Sequence, residues 1–204
     1  MESRRTLIYL LRHGEVELAA TRRFIGHLDV PLSAYGERQC AAQCERLRGV
    51  RLAAVFSSDL CRARRTAEIL GAPHGLKPTL LPALREMSMG QWEGLTAEEI
   101  RAREPEAFAR WMARLDEFPF PDGESLGDLL RRAWPAFEAL VRTHAGHAVA
   151  VVGHGGTNRV LLCQALEMPL GRILSLGQDY AGLTVLEHDG GGWRLQRLNE
   201  RPQI

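Results

Sequence analysis

Lysine is nearly missing from this chain: Lys77 is the only one in 204 residues, so arginine supplies almost all of the 26 basic side chains. That removes the lysine a P-loop needs and leaves one candidate amine for Schiff-base chemistry. A GC-rich coding bias accounts for such a skew without any function. An excess of either charge is missing too. Against 26 basic residues stand 25 acidic ones, a net charge of +1. Such a balance offers no field to gather nucleic acid or an anionic membrane, so any anion site must be local. Cysteine is scarce, and Cys40, Cys44, Cys61 and Cys163 show no paired disulfide-type spacing; with no secretory signal, they read as packing thiols in a reducing cytosol. Long apolar runs are also lacking. The first, Leu7–Leu11, stops after five residues at Arg12 with no small-residue cleavage site, and nothing elsewhere approaches the ~20 residues of a membrane span. The reading is a soluble, cytoplasmic protein.

What is present is ordinary globular composition, 45% hydrophobic and 25% charged, at a length that suits one domain over 1–204. Short runs rich in Val, Ile and Leu alternate with longer helical patterns. This predicts an α/β fold, a three-layer α/β/α sandwich around a mostly parallel sheet. Strands are expected near Leu7–Leu11, Leu52–Phe56, Leu80–Leu84 and Ala148–Val152. A closing hairpin, Leu183–His188 with Trp193–Leu198, turns on Gly190, Gly191 and Gly192. Helical patterns cover Ser33–Leu47, Arg64–Leu70, Ala97–Arg103, Pro105–Leu115, Leu126–Thr143 and Thr157–Leu166, and "TAEE" from Thr96 is a capping-box start. The stretch from Gly94 to Gly123 is the least sheet-like, with prolines 119 and 121 stiffening its exit. It is the candidate for a helical cap over a site.

Open α/β sheets bind ligands beyond the carboxyl ends of their strands. Four strands each end in chemistry-bearing residues: Arg12 and His13 after the first, Arg62, Arg64 and Arg65 after the second, Glu86 after the third, His154 after the fourth. Singly, each has a bland reading. A lone histidine is more often structural, an arginine cluster a solvated helix face, a glutamate a salt-bridge partner. Together they fit phosphoryl transfer. Arginine binds phosphate oxygens two at a time and keeps its charge. An unprotonated imidazole nitrogen can form a covalent phosphoryl intermediate. A carboxyl group can protonate a departing alcohol and later deprotonate water. Gly155 and Gly156 would let the helix that follows bring its backbone N–H groups close to the anion.

The segments "LRHGE", "SDLCRARRTAE", "LREMSMGQWEG", "FPDGES" and "GHGG", in that order from Leu7 to Gly156, resemble the histidine phosphatase superfamily, the group of phosphoglycerate mutases and related phosphatases. The resemblance implies the phosphoglycerate mutase-like fold and a metal-independent enzyme with no cofactor. It further implies His13 as the nucleophile that becomes phosphohistidine, Arg12, Arg62 and His154 as holders of the phosphoryl oxygens, and Glu86 as the general acid and base. Gly14 would orient His13 through its backbone carbonyl. One position departs: relatives often carry an asparagine that contacts the phosphate where this chain has Ala19, so Thr21 or His27 is the expected substitute. "GHLDVPLS", "LREMSMGQWEGLTAEEI" and "FPDGES" look most like the α-ribazole phosphatase and broad-specificity branch. The partner implied is a small-molecule phosphate ester, with α-ribazole 5'-phosphate as the named substrate; monomer and homodimer stay open.

Three rivals stand beside this reading. A zinc hydrolase using His13, His27 and His154 would leave the arginines unexplained and repelling a cation. A non-catalytic phosphate binder would have no use for a nucleophile paired with an acid. A phosphoglycerate mutase would share all the residues, but mutases resembling this family carry a longer insertion than the short interval from Glu86 to His154, which favours a phosphatase. Arg22, Arg23, Arg110 and Arg114 are further candidates to line an acidic substrate's pocket, with solvated surface as the alternative for each.

Overall fold

The structure, a computed structural model, describes residues 5–204; residues 1–4, which open the N-terminal segment considered above as a signal, lie outside the described residues. Six strands, β1 (Thr6–Arg12), β2 (Leu52–Ser57), β3 (Thr79–Leu80), β4 (Ala148–Gly153), β5 (Leu183–His188) and β6 (Trp193–Glu200), form one sheet in the order β3-β2-β4-β1-β5-β6. The first four are mutually parallel. β5 runs antiparallel to β1 and to β6. Among the described residues there are six α-helices: α1 (Ala34–Leu47), α2 (Cys61–Gly71), α3 (Ala97–Arg103), α4 (Pro105–Ala113), α5 (Leu126–Thr143) and α6 (Gly155–Ala165).

Strand periodicity builds the three layers. On β1, Ile8 and Leu10 face the apolar cluster shared with Phe137 of α5 and Leu161 of α6, while Leu11 faces the other, shared with Leu47 of α1 and Ala63 and Leu70 of α2. β4 alternates the same way, Val149 and Val151 on one side, Ala150 and Val152 on the other. A strand covered on both faces has to be apolar throughout, which is why "AVAVV" carries no polar alternation. The expected α/β/α sandwich is therefore the observed architecture.

Local chemistry explains most boundaries. Ser33 caps α1 by accepting from Gly36 N–H, and Thr96 and Ser125 open α3 and α5 with reciprocal capping boxes to Glu99 and Asp128. Three expectations need correction. The strand expected over Leu80–Leu84 is only Thr79–Leu80. Pro82 has no N–H for the ladder, and Pro82–Leu84 turns as a 3-10 helix. Helix α2 begins at Cys61 rather than Arg64 and α6 at Gly155 rather than Thr157, because both are capped by distant carboxylates: Asp29 accepts from Cys61 N–H, and Glu86 from Gly156 and Thr157. Among the described residues no helix is long and apolar enough to cross a membrane.

Candidate active site

β1 delivers its last residues to the sheet's carboxyl edge between two neighbours. His13 N–H donates to Gly153 O at the end of β4 (3.1 Å), and His13 O accepts from Ala181 N–H just before β5 (3.0 Å). The imidazole is 4% exposed. Its Nδ1 lies 2.7 Å from Gly14 O, and since a carbonyl only accepts, Nδ1 carries the proton and Nε2 keeps its lone pair. Burial pulls the His13 pKa well below the ordinary histidine value; the charges of Arg12 and Arg62 push the same way, against the Gly14 carbonyl. The ring is neutral at neutral pH and fixed in one tautomer. Gly14 is held in turn by Thr66, whose Oγ1 accepts its N–H (3.2 Å), and a Cβ at Gly14 would stand 2.5 Å from Gly36 O.

Around this ring the positive groups are bound to backbone oxygens rather than to carboxylates. Arg12 donates to Gln178 O (2.6 Å), and its guanidinium carbon sits 3.9 Å above the Tyr180 ring centroid. Arg62, in the first turn of α2 and 1% exposed, donates to Leu28 O (2.6 Å) and Gly26 O (2.7 Å). Carbonyls orient a guanidinium without neutralising it, so both charges remain available to an anion. His154 immediately precedes α6, wholly buried, its ring edge-on to His13 at 5.1 Å and its Nε2 2.6 Å from Ser58 Oγ. Burial lowers its pKa well below the ordinary value, with Arg62, His13 and Arg12 adding to the shift. Three buried nitrogens of this group, Arg12 Nε, Arg62 Nε and His154 Nδ1, have no hydrogen-bond partner among the described residues.

Glu86 enters on the loop after Pro82–Leu84. Its Oε1 accepts from Met87 N–H (2.9 Å) and Thr157 N–H (3.1 Å), and its Oε2 from Gly156 N–H (3.0 Å), which seats the carboxylate on the positive N-terminus of α6. Oε2 holds one bond only and has room for a proton. Arg12, His13, Arg62, Glu86 and Tyr180 line one cleft of about 300 Å³.

The structure thus brings together His13, Arg12, Arg62, Glu86 and His154. It does not bring Thr21 to them. Thr21 is exposed, its hydroxyl donates to Leu18 O (2.6 Å), and it does not line the cleft. His27 supports the Glu86 loop instead, its Nε2 2.7 Å from Glu86 O. Gly155 packs beside Arg12, where a Cβ would approach the guanidinium carbon to 3.6 Å, and the Gly156 and Thr157 N–H groups serve Glu86 rather than facing the cleft freely. Arg22 and Arg23 do line the cleft, whereas Arg110 and Arg114 line a separate groove on the outside of α4. The histidines of the zinc reading, His13, His27 and His154, face three different protein oxygens. Sequence reasoning gave no role to Tyr180, Ser58 or Thr66. Ser58 and Thr66 lie within the quoted segment "SDLCRARRTAE", but it is the structure that sets them against His154 and Gly14, and Tyr180 against Arg12.

Two neutral histidines, two arginines bound only to carbonyls and a carboxylate at the carboxyl edge of a mostly parallel sheet define a class: α/β proteins whose cleft can hold a multiply charged oxyanion beside an unprotonated imidazole nitrogen. The model of the histidine phosphatase superfamily (branch 1) matches residues 8–201, and the chain belongs to that superfamily. Among curated relatives, the bifunctional protein Rv2228c of Mycobacterium tuberculosis is 36% identical over 194 residues, 95% of this chain and 53% of that one, so this chain spans about half its length. Phosphoglycerate mutase-like protein 4 of Arabidopsis thaliana is 37% identical over 157 residues, 76% of this chain and 68% of that one. Among solved structures, mycobacterial glucosyl-3-phosphoglycerate phosphatase Rv2419c is 33% identical with a TM-score of 0.84, covering 96% of this chain and 98% of that one. The α-ribazole phosphatase of Shigella flexneri, at 24% identity and a TM-score of 0.89 over 97% and 98% of the two chains, shares the fold.

Proposed function

We propose that this protein is a phosphomonoester phosphatase that works through a phosphohistidine, with α-ribazole 5'-phosphate as the first substrate to test. His13 Nε2 attacks phosphorus, the bond from phosphorus to the leaving oxygen breaks, and Glu86 gives that oxygen its proton. Glu86 then takes a proton from water, which attacks the phosphorus; the P–N bond breaks and inorganic phosphate leaves His13 as it began. Arg12, Arg62 and His154 stabilise the charge on the three remaining oxygens. The observation that carries this reading is His13 itself: buried, neutral, locked by Gly14 with Nε2 free, in the same cleft as Glu86. The segment 94–123 serves as the cap. The partners are small phosphate esters in the cytoplasm, not nucleic acid or membrane.

The test is a screen of α-ribazole phosphate, phosphoserine, phosphoglycerates and nitrophenyl phosphate for phosphate release, with trapping of acid-labile phosphate on the protein. Wild type should turn over and trap; His13→Ala should lose turnover by about 10⁴-fold or more and trap nothing. Full turnover by the variant would overturn the mechanism. A mutase is the second reading, and the short Glu86 to His154 interval speaks against it. Efficient conversion of 3-phosphoglycerate to 2-phosphoglycerate, dependent on 2,3-bisphosphoglycerate and with negligible phosphate release, would transfer the assignment to it.

A further inference from the structure

Glu86 stands on a stretch of chain that side chains hold in place. The N–H groups of Met87, Ser88 and Met89 donate to the carboxylates of Glu86 (2.9 Å), Glu124 (2.9 Å) and Glu93 (3.0 Å). The carbonyls of Ala83, Arg85 and Glu86 accept from one side chain, Arg132 of α5, at 2.8, 3.2 and 3.2 Å. The rest of that guanidinium binds Glu124 side-on, Nε to Oε1 at 2.8 Å and Nη2 to Oε2 at 2.7 Å. All five of its N–H donors are thereby in use. Arg132 and Glu124 are 24% and 20% exposed, and neither lines the cleft.

We propose that Arg132, braced by Glu124, is a positioning residue for Glu86, and that it acts through a single peptide plane. The inference rests on Glu86 being the acid and base of the phosphatase reaction. The peptide between Glu86 and Met87 is planar and trans, so its carbonyl and its N–H point in opposite directions. Arg132 holds the carbonyl, together with His27 Nε2 at 2.7 Å, while the N–H holds Glu86's own Oε1. Rotation of that plane takes the carboxylate with it, away from the Gly156 and Thr157 N–H groups at the start of α6. A purely structural role accounts for less. A partly buried ion pair adds little stability over apolar side chains of the same volume, whereas a planar fork with every donor engaged sets an orientation that a lysine ammonium does not.

Single-turnover formation of phosphohistidine from phenyl and nitrophenyl phosphate tests this, because phenolate leaves poorly without a proton and nitrophenolate does not need one. Arg132→Met should slow the reaction of phenyl phosphate by about 10–10²-fold, the scale of a misplacement of about 1 Å, and that of nitrophenyl phosphate less. Arg132→Lys, which keeps the charge and loses the fork, should fall in the same direction. With Glu86→Gln already in place, adding Arg132→Met should cost less than about 3-fold more, since residues that act as a unit are not additive. Vanadate affinity should be unchanged, because Arg12, Arg62 and His154 are untouched, and amide hydrogen exchange should quicken at Met87 and not in β4. A wild-type rate with phenyl phosphate in both variants would overturn the proposal. So would the same added loss with and without Glu86, which is what a purely structural role predicts. Quickened exchange at Met87, alongside a Glu86→Gln enzyme that forms phosphohistidine from phenyl phosphate at the wild-type rate, would instead count against Glu86 as the acid and leave the peptide clamp standing.

Discussion

The charged cradle of Arg12, His13, Arg62, Glu86 and His154 and the segment from Gly94 to Gly123 lie side by side and are held by different forces. In the cradle every key group is fixed by a directional bond: Arg12 to Gln178 O, Arg62 to Leu28 O and Gly26 O, His13 to Gly14 O and Glu86 to three N–H groups, all of backbone, and His154 to the Ser58 hydroxyl. Beneath and within the other segment, Phe24, Trp92, Phe108, Trp111, Phe118 and Phe120 touch ring to ring, with centroids 5.2–6.5 Å apart. Hydrogen bonds specify angle as well as distance. Ring packing specifies proximity and tolerates rearrangement at similar volume. Under the proposed mechanism a nucleophile has to be aimed at one phosphorus, which calls for the first kind of construction.

Substitutions should separate the two. Glu86→Gln attacks the cradle's chemistry alone: turnover of alkyl phosphates should fall by about 10²–10⁴-fold, and that of nitrophenyl phosphate less, because nitrophenolate leaves without a proton. Equal losses in steady-state assays with both esters, together with an unchanged single-turnover burst, would remove the acid role. Trp92→Ala attacks the aromatic cluster. Trp92 is fully buried and lies outside the cleft lining, so the variant should lose about 3–5 kcal/mol of stability in urea unfolding while its folded fraction still hydrolyses nitrophenyl phosphate at the wild-type rate. A rate collapse without unfolding would show that the two regions are not independent.

The dependence on pH also belongs to the cradle. His13 and His154 have lowered pKa values in the fold, whereas in the unfolded chain they take up protons near about 6.5. Stability from keeping them neutral is therefore complete above about pH 6.5 and is lost as pH falls below it, by at most about 1.4 kcal/mol per pH unit for each ring. Urea midpoints should decline from pH 7 to 5, before the carboxylates titrate, and His154→Gln should flatten the decline. A midpoint independent of pH over that window would mean that the rings are not held neutral.

How far the sequence was legible follows the same division between local and distant bonds. The strands of the sheet centre, the closing hairpin, α3 and α5, and the convergence of His13, Arg62, Glu86 and His154 could be read, because alternation, capping boxes and strand-end positions are local signals. Helix α2 was started late because its cap, Asp29, stands in another segment, and α6 because its cap is Glu86. The same contact took the Gly156 N–H from the anion role expected of it. Thr21 failed as the replacement at the Ala19 position, since its hydroxyl bonds within its own 3-10 turn, and the cleft is bordered there by Arg22 and Arg23. Tyr180 had no local signal at all: its partner Arg12 lies far away along the chain and meets it only once β1 is paired on both sides.

That pairing has a temporal side. β1 leaves the ribosome first, yet its two neighbours in the sheet are β4 and β5, and β2 and β3 can pair only with each other until β4 arrives. At synthesis rates of about 5–20 residues per second, the run "LIYLL" waits roughly 7–30 seconds for residues 148–153 and longer still for 183–188. During that interval an apolar strand that belongs in the middle of a sheet has no partner. A fragment ending before residue 148 would lack β4 and β5 alike, and would carry Arg12 and His13 at the end of a strand with neither of its neighbours.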